Sequence, residues 1–158
     1  MSTHIPDYRL KSADAATIRA HLAHCSWAFV PPHDEKVELS AYAEKIFARA
    51  TTFEAWSQST LIGLVAAYLN DLETRSGFIT SVSVSSDFAG QGIAKELVQR
   101  CIAQARALGF VDIRLEVHPS NVRAVSLYSN AGFVEYERRA ETVLMILQLE
   151  AVKERQKP

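Results

Sequence analysis

The apolar pattern changes period between Val82 and Arg100, and the change falls on two glycines. In "VSVSSDFAGQGIAKELVQR", Val82 and Val84 alternate with serines as in a strand. Ile93, Leu97, Val98 and Cys101 then recur at helical spacing. Gly90 and Gly92 occupy the junction, so a strand must feed a helix through a tight turn. Glycine costs conformational entropy, so a pair at such a place answers a need: a positive φ angle, or a close approach to the backbone. A helix start carries unpaired N–H groups and the positive end of the helix dipole, so the turn can also cradle a phosphate.

The flanking segments place this junction in a mixed fold. "YRL" reads as a short opening strand. Ser12 is a candidate N-cap for a helix whose apolar stripe is Ile18, Leu22, Cys25 and Phe29. Pro31 and Pro32 end that helix, and a second follows with Leu39, Tyr42, Ala43, Ile46, Phe47 and Ala50 on one face. "TTFEAWSQ" and "TLIGLVAAYLN" read as two strands turning at Gln58-Ser59, and "FITSVSVS" as a third. The helix after the glycines runs to a cap at Gly109; then come strand "FVDIRLEV", helix "PSNVRAVSLYSNAG", and strands "FVEYERR" and "TVLMILQLE". This order predicts an α/β (α+β) fold with a largely antiparallel sheet flanked by helices.

The 158 residues suit one domain over 1–150, with a polar tail at 151–158. A net charge of -1 gives no electrostatic reason to expect nucleic acid or a membrane surface as partner. Cys25 and Cys101 match no zinc or redox spacing. No apolar run has the length of a membrane span, and the expected compartment is the cytoplasm.

Two familiar phosphate loops fail on particular residues. A Walker A loop needs Gly-Lys-Ser/Thr, which the chain lacks. A dinucleotide fingerprint needs a third glycine where Lys95 stands. By contrast, "VSVSSDFAGQGIAKELV" resembles the acetyl-CoA motif of the GCN5-related N-acetyltransferase (GNAT) superfamily, an Arg/Gln-x-x-Gly-x-Gly/Ala loop entering a helix. Gly92 and Ala94 match its second half, Gly90 and Gln91 precede as is common, and Ala89 replaces the usual Arg or Gln. "LEVHPSNVRAVSLYSNAGFVEYERR" resembles the family's second signature through Asn121, Tyr128, Gly132 and Phe133. The resemblance runs from about Leu61 to the last strand and implies a GNAT-type sheet, splayed at a cofactor cleft.

It also implies the roles. The pantetheine arm of acetyl-CoA pairs with Val82, Ser83 and Val84 as an added strand does. The loop of Ala89, Gly90, Gln91, Gly92, Ile93, Ala94 and Lys95 holds the pyrophosphate, and Asn121 bonds the pantetheine or simply caps its helix. Tyr128 protonates the departing thiolate; a phenol with pKa of roughly 10 keeps its proton at neutral pH. The backbone N–H of Val84 polarises the thioester oxygen. The base that takes the amine's proton stays open among Glu54, Asp71, Glu73, Glu116 and His118, a water relay, or an amine already neutral. Glu116 and His118 share a face of their strand near the expected cleft. Neither cysteine is expected where a covalent relay would need it, so transfer is direct.

His21 and His24 read as a surface pair rather than a metal site. Trp27, Phe29, Pro31 and Pro32 fall in a loop that often lines the acceptor site in family members, and packing that anchors this loop is the alternative role for them. The expected function is transfer of acetyl from acetyl-CoA to a small-molecule amine, with no metal; a homodimer, common in the family, is an open assembly. A non-catalytic acyl-CoA-binding regulator and a dinucleotide-dependent enzyme are the alternatives.

Overall fold

In the computed structural model, which describes residues 5–25 and 36–149, the period change is a strand-to-helix junction. Strand β4 (Ser76–Val84) leads through a short 3-10 turn at Ser86–Phe88 into α3 (Ile93–Ala107). Before it come β1 (Asp7–Leu10), α1 (Ala15–Cys25), α2 (Lys36–Arg49), β2 (Thr51–Ser57) and β3 (Thr60–Tyr68). After it come β5 (Asp112–Val117), α4 (Val122–Ala131), β6 (Val134–Arg138) and β7 (Val143–Gln148). The strands form one sheet in the order β1-β2-β3-β4-β5-β7-β6.

All neighbours are antiparallel except β4 and β5. The exception follows from α3, because a strand that returns through a helix re-enters the sheet in the same direction. The β2–β3 hairpin turns at Gln58, which adopts a φ of 57°. Fold class and elements thus agree with the pattern of periods in the sequence.

Alternation along β2 and β3 builds a core on each face of the sheet. Phe53, Ala55, Ile62 and Val65 face α3, where Leu97, Val98, Cys101 and Ile102 are buried. Trp56, Leu61, Leu64 and Ala66 face α1 and α2 and meet Ile18, Leu22, Leu39, Ala43 and Ile46. Each Leu, Ile, Val or Phe among them, fully buried, contributes about 1.5–3 kcal/mol. Gly63 lets α3 lie close to β3, since a Cβ there would stand 2.9 Å from Ile93 Cγ2.

Two local expectations are corrected. Asp14, not Ser12, caps α1: its Oδ1 accepts the Thr17 N–H at 2.8 Å. Ser12 is drawn off by Glu54, whose carboxyl oxygens accept the Ser12 N–H and hydroxyl, the Ala13 N–H, the Thr52 hydroxyl and the Trp56 indole N–H. Phe47 leaves the apolar face of α2 and is half exposed, because Leu39, Ala43 and Ile46 already fill the contact with the sheet. Phe29, Trp27, Pro31, Pro32 and the 151–158 tail lie outside the described residues. No described helix is long and apolar enough to cross a membrane.

Candidate active site

The parallel pair is short. β4 and β5 face each other only from Ser76–Asp112 to Ile79–Leu115. Beyond that point they part around a cleft of about 530 Å³, with Val82, Ser83 and Val84 on one wall and Glu116 and His118 on the other. The β3–β4 register shows one cause: Ala66 opposes Ser81 while Ala67 opposes Ile79, leaving Thr80 as an extra residue. A bulge of this kind bends and twists its strand. Farther along, the Ser85 N–H donates to Ile62 O at 2.8 Å. Alternation therefore turns the backbone groups of Ser83 toward β3, and those of Val82 and Val84 toward the gap. Val82 and Val84 also pack against the larger core.

The glycine turn closes one end of the cleft. Gly90 and Gly92 both have φ of 80°, and a Cβ on either would meet nothing within 4 Å. They serve a left-handed turn beside open space. The first α3 amide with a backbone acceptor is that of Glu96, to Gly92 O at 3.0 Å. The N–H groups of Gly90, Gln91, Gly92, Ile93, Ala94 and Lys95 have no acceptor among the described residues. Ala89 differs, since its N–H donates to Ser86 O. Ala89, Gly90, Gly92, Ile93, Ala94 and Lys95 line the cleft, while the exposed Gln91 does not. Lys95 and Arg123 bring two cations to it. A row of free amides at a helix start, leading into a slot with a bare strand edge, fits a ligand that joins phosphates to an amide-bearing arm. That is the shape of acetyl-CoA.

From α4 comes Tyr128, lining the cleft and 7% exposed. Its ring meets Phe133 edge-on at 6.0 Å, and its carbonyl accepts the Phe133 N–H, so the Gly132 turn fixes its position. Burial pushes its phenol well above the usual tyrosine range, keeping the proton in place. Asn121 Oδ1 caps α4 by accepting the Ala124 N–H at 3.2 Å. Its carboxamide N–H groups have no partner among the described residues.

Glu116 Oε2 accepts the Thr142 hydroxyl at 2.6 Å and lies 4.0 Å from Arg139. His118 Nδ1 accepts the Ser120 N–H at 3.1 Å. Glu54, Asp71 and Glu73 do not line the cleft. Glu54 is fully buried among its donors, and Asp71 accepts the Glu73 and Thr74 amides within a turn.

The opposite side of the cleft holds residues that sequence reasoning missed. Tyr42 on α2 donates its hydroxyl to Thr80 O at 2.7 Å. Cys25 on α1 lines the cleft, against expectation, and burial pushes its thiol up to about 11. His21 is not a surface residue: it is 4% exposed, with Nδ1 3.2 Å from Leu61 O and Nε2 2.9 Å from Ser83 Oγ. Desolvation pushes its imidazole down to about 4. The signal was present in the spacing, since His21 follows Ile18 by three and precedes Cys25 by four.

Known proteins share this build. The sequence profile of the acetyltransferase (GNAT) family matches residues 19–133. The N-alpha-acetyltransferase MAK3 of Arabidopsis thaliana is 32% identical over 87 residues, 54% of this chain and 46% of that protein. The chain thus spans about half the length of that relative. The ribosomal-protein-S18-alanine N-acetyltransferase of Escherichia coli superposes with a TM-score of 0.74 at 18% identity, covering 90% of this chain and 94% of that one. The PaiA N-acetyltransferase of Thermoplasma acidophilum, solved in complex with coenzyme A, superposes with a TM-score of 0.72 at 15% identity, covering 90% and 99%. The splayed strands, the glycine turn and Tyr128 all fall within the span that this profile matches, and the chain belongs to the acetyltransferase (GNAT) family.

Proposed function

We propose that this chain is an acetyl-CoA-dependent N-acetyltransferase that moves acetyl directly to the primary amine of a small molecule within a ternary complex. The observation that carries the reading is the gap between β4 and β5, which reaches residues on both faces of the sheet. Donor and acceptor can therefore meet from opposite sides. The amides from Gly90 to Lys95, with Lys95 and Arg123, hold the phosphates, and the edge of Val82 and Val84 takes the pantetheine arm. Val84 N–H polarises the thioester carbonyl as the amine attacks. The C–N bond forms, the C–S bond breaks, and Tyr128 gives its proton to the sulfur. Glu116 or His118, on the β5 wall, takes the proton from the amine. Cys25 remains a thiol at neutral pH and is a poor nucleophile, which favours direct transfer over a covalent relay.

A second reading of the acceptor is the α-amine of a polypeptide. It is supported by the Arabidopsis relative, named an N-alpha-acetyltransferase, and the Escherichia coli structure, named for a ribosomal-protein alanine. Thermal midpoints with acetyl-CoA, CoA and NAD, followed by CoA release with spermidine, ethanolamine and alanyl-glycyl-glycine, test both readings. Stabilisation by acetyl-CoA with release on spermidine or ethanolamine is the expected result. Release on the tripeptide alone moves the acceptor to polypeptides, and stabilisation by NAD alone overturns the reading. Binding without release on any amine favours a regulator on the same scaffold.

A further inference from the structure

The chemistry above leaves a buried polar pair beside the cleft without a task. His21 on α1 and Ser83 on β4 are 62 residues apart in sequence and meet at 2.9 Å, 4% and 7% exposed. Leu61 O can only accept, so the His21 Nδ1 that lies 3.2 Å from it carries the ring proton. A buried imidazole with no carboxylate beside it among the described residues is neutral. Nε2 therefore holds a lone pair, and Ser83 Oγ donates to it. Cys25 Sγ, 3.8 Å from Nε2, is a weaker donor at longer range and does not displace the hydroxyl. The single proton of Ser83 is spent on His21. No other described donor reaches its oxygen, which keeps lone pairs at a wall of the cleft.

We propose that Ser83 Oγ receives an N–H of the acceptor amine, and that His21 is the positioning residue that keeps this hydroxyl an acceptor. The proposal rests on the N-acetyltransferase reading and assigns part of the amine's site, on the side of the cleft shared with Cys25 and Tyr42. An attacking amine needs its lone pair for the carbonyl, so its N–H bonds are what it can offer the protein. A serine free to rotate could donate its proton into that lone pair and quench the nucleophile. Held by His21, it cannot. Ser83 is also next to Val84, whose N–H faces the gap, so the amine is received one residue from the group that polarises the carbonyl. His21 does not take the amine's proton: burial holds its imidazole down at about 4, a neutral acceptor and a weak base.

The test has a structural and a kinetic arm on the full chain. Nitrogen-15 spectra of the histidine rings at neutral pH should show His21 as the Nδ1–H tautomer. An Nε2–H tautomer or an imidazolium overturns the proposal. With spermidine, ethanolamine and alanyl-glycyl-glycine as probes, Ser83→Ala should raise the amine KM roughly tenfold while the acetyl-CoA KM stays put. His21→Leu should do the same, and His21→Gln, whose amide oxygen can still accept from Ser83, should recover part of the loss. An unchanged amine KM in Ser83→Ala overturns the proposal, as does a wild type that turns over none of the three amines. Failure of the wild type to bind acetyl-CoA overturns the enzyme reading instead, and the tautomer would still be measured.

Discussion

Trp56 Nε1 donates to Glu54 Oε1 across 2.9 Å, and both residues face α1 and α2 from β2. The same carboxyl group fastens the segment entering α1, through the Ser12 and Ala13 amides, to β2. Glu54→Ala leaves several buried donors without an acceptor and is expected to cost about 3 kcal/mol or more, read from urea midpoints. Glu54→Gln keeps one acceptor oxygen and should lose less. Because Glu54 does not line the cleft, the folded fraction of either variant should bind CoA with wild-type affinity.

Gly92 offers a cleaner test of the cradle. Its φ of 80° is costly for any residue with a Cβ, although the space around it is open. Gly92→Ala is expected to lose about 1–2 kcal/mol of stability. Its thermal midpoint should also rise less than wild type when CoA is added, since a relaxed turn misaligns the free amides.

For Tyr128, removal of one oxygen separates position from chemistry. Tyr128→Phe keeps the ring against Phe133, so thermal midpoint and CoA binding should hold. Turnover should fall about 10²-fold. Unchanged turnover would remove the phenol as the acid.

Acid should expose His21. Its folded pKa of about 4 lies below the ordinary 6.5, so between those values the unfolded chain binds a proton that the folded chain does not. Stability is therefore whole above about pH 6.5 and declines as pH falls toward about 4, by up to about 3 kcal/mol from this group. Urea midpoints at about pH 7.5 and about pH 5 should differ more in wild type than in His21→Gln.

The helix α3 was legible because its stripe has one period and its start is marked by glycine. The same holds for α4, bounded by Asn121 and Gly132. The splay was reachable only through resemblance. It depends on a bulge at Thr80 and on how far β5 follows β4, and neither leaves a mark in either strand's own alternation. His21 was misread because polarity outweighed periodicity: a histidine on an apolar stripe was assigned to solvent. Nothing near Glu54 in sequence foretold that Ser12 and Ala13, some forty residues earlier, would bring their amides to it.

Where β4 and β5 part, the sheet carries in its own interior two hydrogen-bonding edges that are bare among the described residues. Exposed edges recruit strands from other chains, and proteins ordinarily blunt them with charge, covering or closure. Here the edge of Val82 and Val84 lies inside a cleft walled by α3 and α4, so the hazard is kept indoors. Any ligand lying along it acts as a stopper as well as a reactant, and extended peptides become rivals for the same slot. A preparation stored with CoA should therefore resist clouding longer than one stored without it.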